Sequence, residues 1–394
     1  MSDREVFIVS AVRTAIGTFG GSLKDTPPVE LATHVTQAAL QRAGCEPDQI
    51  EHVVFGHVIP TVPQDAYIAR VAAIQSAIPN TTPAFMVNRL CGSGLQAVVS
   101  ATQILKSNDA QVVLAGGVES MSRSGYLAPA ARWGARMGNT QLQDLMLGAL
   151  QDPIHGIHMG ITAQNVAASE GISREEQDRL ALLSQQRAAR AIREGRFCDQ
   201  IVPIQVKRGK QMQNFDVDEH VRGDVTIEQL ACMKPAFQPD GTVTAGNSSG
   251  LNDGASVLVL ASEQAIKHEG LRPLARVVSY AHAGVEPTLM GLGPIPASRL
   301  ALQKAGLNVS DMDVIESNEA FAAQACAVAK SLEFDPEKVN PNGSGIALGH
   351  PVGASGAIIC TKAVHELQRI NGRYALVTMC IGGGQGIAVV LERV

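Results

Sequence analysis

Apolar residues fall along this chain in two alternating textures. Short runs rich in β-branched residues recur: Val6-Phe7-Ile8-Val9, Val53-Val54-Phe55, Val112-Val113-Leu114, Val257-Leu258-Val259-Leu260, Val277-Val278 and Leu376-Val377-Thr378. Their length and bounding turn residues predict buried strands. Between them lie stretches with apolar residues three and four apart, which predict helices. One covers 95–105, following an extended run over 83–90. Another, with Ala357, Cys360, Val364 and Leu367 on one face, is expected to start near Ala357. This alternation predicts an α/β protein whose sheets are covered by helices on both faces.

The pattern repeats itself. Ala39-Leu40-Gln41-Arg42-Ala43-Gly44 returns as Ala301-Leu302-Gln303-Lys304-Ala305-Gly306, a shift of 262 residues. At the same shift an acidic turn and a strand follow each glycine, with His52-Val53 facing Val314-Ile315. Weaker echoes pair Gly92-Ser93-Gly94 with Gly343-Ser344-Gly345, and strand 111–115 with strand 374–380. A duplicated α/β half is the simplest account. The middle, 121–250, is more polar and less regular. It holds one clear predicted helix, from a Ser173/Glu176 capping box to about Glu194, before Gly195. Lys207-Arg208-Gly209-Lys210 reads as a surface turn. This block looks inserted, and insertions of this kind carry binding surfaces.

Composition narrows the function. The 394 residues exceed one ordinary core of about 100–200 residues, so two or three domains are expected. No run reaches the roughly 20 apolar residues of a membrane span. The N-terminus runs directly into a strand, without a signal or transit peptide, and the C-terminus is not Ser-Lys-Leu; a cytoplasmic location is expected. Seven cysteines without C-x-x-C pairs argue against a disulfide framework and a Cys-rich zinc site. Cys326 and Cys360 read as packing residues. A net charge of −5 speaks against nucleic-acid binding.

Four places can carry chemistry. Cys91, in Asn88-Arg89-Leu90-Cys91-Gly92-Ser93-Gly94, sits at a strand-to-helix seam, where N–H groups and the helix dipole favour a thiolate; it is a nucleophile or a buried structural cysteine. His350 lies in a glycine-dense stretch, and Pro351 forces it out of helical geometry; it is a base, an oxyanion donor, or a loop imidazole bonded to backbone. Cys380 enters Ile381-Gly382-Gly383-Gly384-Gln385-Gly386. The spacing and the following strand are wrong for a dinucleotide fingerprint, and exposed N–H groups beside a second thiol fit better. Asn318, in Asn318-Glu319-Ala320-Phe321, follows a strand and is functional or a helix N-cap. A nucleophilic thiol, a histidine and a second thiol fit acyl transfer coupled to proton movement beside a carbonyl.

At these residues the chain resembles the thiolases. The stretches 88–94, 318–321, 349–356 and 380–386 look like that family's four active-site motifs, in order, and Arg13-Thr14-Ala15-Ile16-Gly17 and 245–254 match as well. The resemblance covers essentially the whole chain and is nearest to bacterial acetyl-CoA acetyltransferases and β-ketothiolases. It implies a duplicated five-layer α-β-α-β-α fold, with 1–120 and 251–271 as the N-terminal half, 121–250 as a loop domain for CoA binding and oligomerisation, and 272–394 as the C-terminal half. It implies ping-pong chemistry through acyl-Cys91. His350 draws off the thiol proton, Cys380 is the acid/base at the α-carbon, and Asn318 holds a water that serves one oxyanion with His350. The N–H groups of Cys91 and Gly382 serve the other. For CoA it points to His158, Met159, Gln185, Arg222, Met233, Phe237, Ala245, Ser249, Ala320 and Phe321.

No permanently bound cofactor or metal is implied; coenzyme A is substrate and product. The implied partners are acetyl-CoA, short acyl-CoA and 3-ketoacyl-CoA, in a homotetramer built as a dimer of dimers, without nucleic acid or membrane. Met159, Phe237 and Met290 favour short acyl chains. A degradative thiolase for longer or dicarboxylic chains is the alternative, and a non-catalytic CoA or lipid binder the remote one. Two positions depart from the family pattern: Gly343-Ser344-Gly345 stands where many members have Gly-Gly-Ala, and Gln229 where many have a serine. The segment Arg132-Trp133-Gly134-Ala135-Arg136 corresponds to the family's oligomerisation loop.

Overall fold

The computed structural model describes residues 4–394; Met1, Ser2 and Asp3, where the N-terminal reading begins, lie outside them. Nine strands make the main path. They are β1 (Val6–Arg13), β2 (His52–Gly56), β3 (Ala84–Val87), β4 (Val112–Ser120), β5 (Asn252–Ser262), β6 (Ala275–Gly284), β7 (Val314–Ser317), β8 (Tyr374–Ile381) and β9 (Gln385–Arg393). The helices that build the layers and the site are α1 (Pro28–Ala43), α2 (Ser93–Ser107), α3 (Met159–Glu170), α4 (Arg174–Arg193), α5 (Pro294–Ala305), α6 (Ala322–Ser331) and α7 (Val352–Ile370).

The strand order is β7-β8-β9-β6-β1-β5-β4-β2-β3. The two halves of this path join at β1 and β6 through two facing residue pairs, Phe7 with Arg276 and Ile8 with Ala275. Within each half the strand carrying the repeat pairs in parallel, β2 with β4 and β7 with β8.

Strand periodicity sorts the layers. Val113 and Ala115 face one core while Val112 and Leu114 face another, as alternation along a pleated strand requires. The same split separates Val377 and Met379 from Leu376. The shared inner core holds α2 and α7 between the sheets. One outer core packs α1 on the N-terminal half, and the other packs α5 on the C-terminal half. That is the five-layer α-β-α-β-α arrangement. The repeat is structural: α1 and α5 end at Gly44 and Gly306, with φ of 62° and 67°, before β2 and β7 begin.

The helix expected from Ala357 starts at Val352 instead. Its glycines are not loop residues. A Cβ on Gly356 would sit 2.7 Å from that of Leu95, so glycine lets α7 and α2 cross in close contact at the centre of the molecule. The middle-block helix follows expectation: Ser173 and Glu176 close a capping box, and α4 ends before Gly195, whose φ is 68°. The basic turn lies at Gly209 and Lys210, between the paired strands Ile204–Arg208 and Gln211–Phe215. Cys360 is buried and Cys326 half-buried. Among the described residues no helix is long and apolar enough to cross a membrane.

Candidate active site

Each chemical residue sits at the end of an element. Cys91 follows β3 and precedes α2 by two residues. The turn that holds it is knitted by Ser93, whose Oγ accepts the Arg89 N–H at 2.8 Å and donates to the Leu90 carbonyl at 2.6 Å. Asn88 Oδ1 accepts the Leu90 N–H at 3.0 Å. These bonds hold Leu90 at a φ of 46°, a conformation that costs a non-glycine residue about 1–2 kcal/mol. The strain is local to the residue before the thiol.

Cys380 ends β8. The glycine run after it is the hairpin between β8 and β9, where Gly383 and Gly384 take φ of 80° and 82°. A turn with two such residues in succession suits glycine on both. It is not a phosphate loop. The turn brings the Gly382 N–H to the Cys91 sulfur, which its own N–H also approaches.

His350 precedes α7 and is 5% exposed. Its N–H donates to Asn252 Oδ1 at 2.9 Å. Nδ1 lies 2.6 Å from Ser355 Oγ, and Ser355 Oγ donates to the Pro351 carbonyl at 2.9 Å. Since that hydroxyl has one proton and the carbonyl can only accept, Nδ1 carries the proton shared with Ser355. Nε2 is therefore the bare, basic nitrogen, and it has no hydrogen-bond partner among the described residues. Burial pulls the imidazole down to about 4, so it is neutral at pH 7.

Burial pushes the Cys91 thiol up to about 11, against the pull of the two N–H groups. Desolvation outweighs the donors of the seam, and Cys91 rests as a thiol whose proton a base must draw off. Burial also raises Cys380, and the neighbouring Cys91 sulfur adds to it.

Cys91, His350, Cys380 and Gly382 line one cavity of about 480 Å³. The same cavity is lined by His158, Met159, Gln185, Arg222, Met233, Phe237, Ala245, Ser249, Ala320 and Phe321. His158 caps α3 through Nδ1, which accepts the Gly160 N–H at 3.0 Å, and stacks on Phe237 at 4.8 Å. Phe237 meets Phe321 edge-on at 6.1 Å. Gln185 Oε1 accepts the Arg222 N–H at 2.7 Å, and the Arg222 side chain is exposed. Met290 joins Met159, Phe321 and Cys380 in one apolar cluster.

Asn318 does not line this cavity. It is 1% exposed and borders a separate void of about 10 Å³, shared with Ser344, Gly349 and Ser355. Its Nδ2 has no partner among the described residues. It is not a helix cap either, since α6 begins at Ala322 with Phe321 as N-cap. Asn318 thus lies behind the His350 loop, next to the serine that orients the imidazole.

The two departures have local roles. Gln229 closes a capping box with Thr226, its Oε1 accepting the Thr226 N–H at 2.9 Å. Ser344 donates to the Ser317 carbonyl at 3.3 Å, beside Asn318. Sequence reasoning missed His220, Met121, Met146 and Leu147, which also line the cavity. Met146 and Leu147 sit on a five-residue helix, Leu145–Ala149, too short to show a periodic signal.

Comparison with known proteins agrees with the motifs. The family profile "Thiolase, N-terminal domain" matches residues 6–264, and "Thiolase, C-terminal domain" matches 271–393. A protein named beta-ketothiolase BktB from Cupriavidus necator is 61% identical over 392 residues, 99% of this chain and 100% of that one. An acetyl-CoA acetyltransferase from Chromobacterium violaceum is 50% identical over 391 residues, 99% of this chain and 100% of that one. The crystal structure of human mitochondrial 3-ketoacyl-CoA thiolase in complex with CoA superposes with a TM-score of 0.96 at 46% identity, covering 99% of this chain and 98% of that chain.

Proposed function

The chain belongs to the thiolase family, and on that premise we propose that it joins and cleaves short acyl groups on coenzyme A through an acyl-Cys91 intermediate. The observation that carries the reading is the meeting of two thiols, one bare imidazole nitrogen and the Gly382 turn at one cavity.

The Cys91 thiol attacks a thioester carbonyl and passes its proton to His350 Nε2. The departing CoA sulfur takes the Cys380 proton, leaving acyl-Cys91, free CoA, a Cys380 thiolate and His350 protonated on Nε2. The N–H groups of Cys91 and Gly382, already turned to the sulfur, stabilise the carbonyl oxygen as charge develops there. A second thioester, acetyl-CoA, then loses an α-proton to the Cys380 thiolate. Burial makes that thiolate a strong base. The carbanion attacks acyl-Cys91, the Cys91 sulfur leaves and takes back the proton from His350 Nε2, and 3-ketoacyl-CoA is released. Thiolysis is the same path reversed. His350, now protonated on Nε2, stabilises the enolate oxygen with a water held by Asn318; the unpartnered Nδ2 of Asn318 supports that role.

Coenzyme A is bound by the aromatic stack of His158, Phe237 and Phe321, with Met159, Met233, Ala245 and Ala320 as walls. Ser249 and Gln185 offer polar contacts, and Arg222 supplies a cation at an exposed position. CoA acts as substrate and product, with no permanent cofactor. Met159, Met290 and Phe237 close around the reactive end, which favours short chains over longer or dicarboxylic ones. We assign 1–120 with 251–271, and 272–394, to the two halves, and 121–250 to the loop domain. We place the protein in the cytoplasm as a homotetramer. The exposed Trp133 of the oligomerisation segment, with exposed Met137 and Leu142 after it, supports the assembly.

Mass spectrometry after incubation with acetyl-CoA tests the chemistry. An acetyl group is expected on the Cys91 peptide and is lost in Cys91→Ala; active enzyme with unmodified Cys91 overturns the mechanism. A kcat/KM series over 3-ketoacyl chain length tests the substrate. Values that rise beyond six carbons refute the short-chain preference.

A further inference from the structure

Glu119 is a buried carboxylate outside the cavity, yet it is bonded to the start of α7 and to the 57–59 segment that contacts the Cys91 turn. It lies on β4 and is fully buried. Oε1 accepts the Ile59 N–H at 3.1 Å. Oε2 accepts the Val58 N–H at 3.2 Å and the Gly353 N–H at 2.9 Å. His57, itself buried, places Nδ1 3.3 Å from Oε1 and donates from it to the Val118 carbonyl at 3.0 Å.

These donors lead to Cys91 on one side and His350 on the other. The Val58 carbonyl accepts Asn88 Nδ2 at 3.5 Å, and Asn88 in turn holds the strained Leu90 before Cys91. Gly353 is the second residue of α7, three past His350. A Cβ at Gly353 would lie 2.5 Å from Glu119 Oε2, so glycine there is what lets the carboxylate reach the helix terminus. A buried charge is costly to maintain, and an apolar residue could fill β4 without that cost. What the carboxylate adds is a rigid link between three chain segments.

We propose that Glu119 is a positioning residue that sets the spacing between Cys91 and His350 by clamping the 57–59 segment and the start of α7 to one carboxylate. This rests on Cys91 and His350 being nucleophile and base. The charge has a second effect. Cys91 shares its cavity with Cys380, His350, His158, His220 and Arg222, and Glu119 acts on it electrostatically from outside, with His57 against Glu119. Burial is the main cause of the raised Cys91 thiol, and a Glu119 carboxylate, itself raised by burial, adds a smaller push in the same direction.

Glu119→Gln tests this, because one acceptor position becomes an amide NH2 facing N–H donors and the charge is lost. Single-turnover acetylation of Cys91 is expected to slow on the order of tenfold to a hundredfold with unchanged CoA affinity. Iodoacetamide labelling of Cys91, read by peptide mass spectrometry across pH, should shift its midpoint to lower pH. Glu119→Asp keeps the charge; it should hold the midpoint and recover part of the rate. Wild-type acetylation in Glu119→Gln overturns the proposal. So does a rate loss matched by the loss of folded protein in thermal melts with an unmoved midpoint. Wild-type enzyme that forms no acetyl-Cys91 overturns the nucleophile assignment and this proposal with it.

Discussion

Ser355→Ala removes the group that decides which imidazole nitrogen of His350 is basic. Ser355 is 3% exposed and His350 5%, so the lost hydroxyl is not replaced from solvent as it would be at the surface. The 2.6 Å contact to Nδ1 is, among the described residues, the one side-chain hydrogen bond holding the ring. A buried N–H left without an acceptor costs about 1–3 kcal/mol, which should appear as an equal loss of unfolding free energy. That same energy biases the ring toward the tautomer with Nε2 bare, a factor of about 5 to 150. Without it the ring samples both tautomers and a wider range of orientations. A base held loosely loses on the order of tenfold to a hundredfold in turnover. The expected result is a kcat for thiolysis lowered by that factor, with KM for CoA nearly unchanged, because Ser355 does not line the cavity. Nitrogen NMR of labelled histidine reads the tautomer directly. A folded Ser355→Ala with wild-type kcat, or with His350 still wholly in the Nδ1–H form, refutes the reasoning.

His350 also predicts a pH dependence of stability. Its folded value lies near 4 against an ordinary 6.5, so below pH 6.5 the unfolded chain binds a proton that the folded one refuses. Stability from this residue is full above pH 6.5 and falls toward pH 4, by at most about 3 kcal/mol; His350→Asn should flatten that part of a urea-denaturation pH series. Lys362 bonds Glu316 Oε2 at 2.7 Å and the Gly343 carbonyl at 2.5 Å, fully buried. Lys362→Met should cost about 3–5 kcal/mol in denaturant melts, and adding Glu316→Gln should recover much of it; additive losses would refute the coupling. Phe237→Ala breaks the contacts to His158 and Phe321, each worth about 0.5–1.5 kcal/mol. KM for CoA should rise several-fold with kcat largely kept; a fall in kcat alone would contradict a binding role.

Much of the fold was legible because strand and helix periods are local. The paired runs at Val53 and Ile315, the glycine stops at Gly44 and Gly306, and the capping box of Ser173 and Glu176 all depend on neighbours within a few residues. The parity that sends Val113 inward and Val112 outward follows from the pleat once a strand is known. The chemistry was legible as residue types: two thiols and a histidine among glycines, and an asparagine after a strand.

What the sequence alone determined is therefore a duplicated α/β chain carrying four reactive segments. Only tertiary structure decided how those segments work, because each property depends on atoms far away in sequence. Gly353 and Gly356 read as loop until α2 and Glu119 press against them, and then they are helix. Cys91 reads as a thiolate from its seam, but the core around it removes the water that would solvate the charge, so it rests as a thiol. Asn318 reads as a functional group or a cap until the chain places it behind His350, short of the helix start. Burial and contact across the inner core set these outcomes, and neither is written in a local pattern.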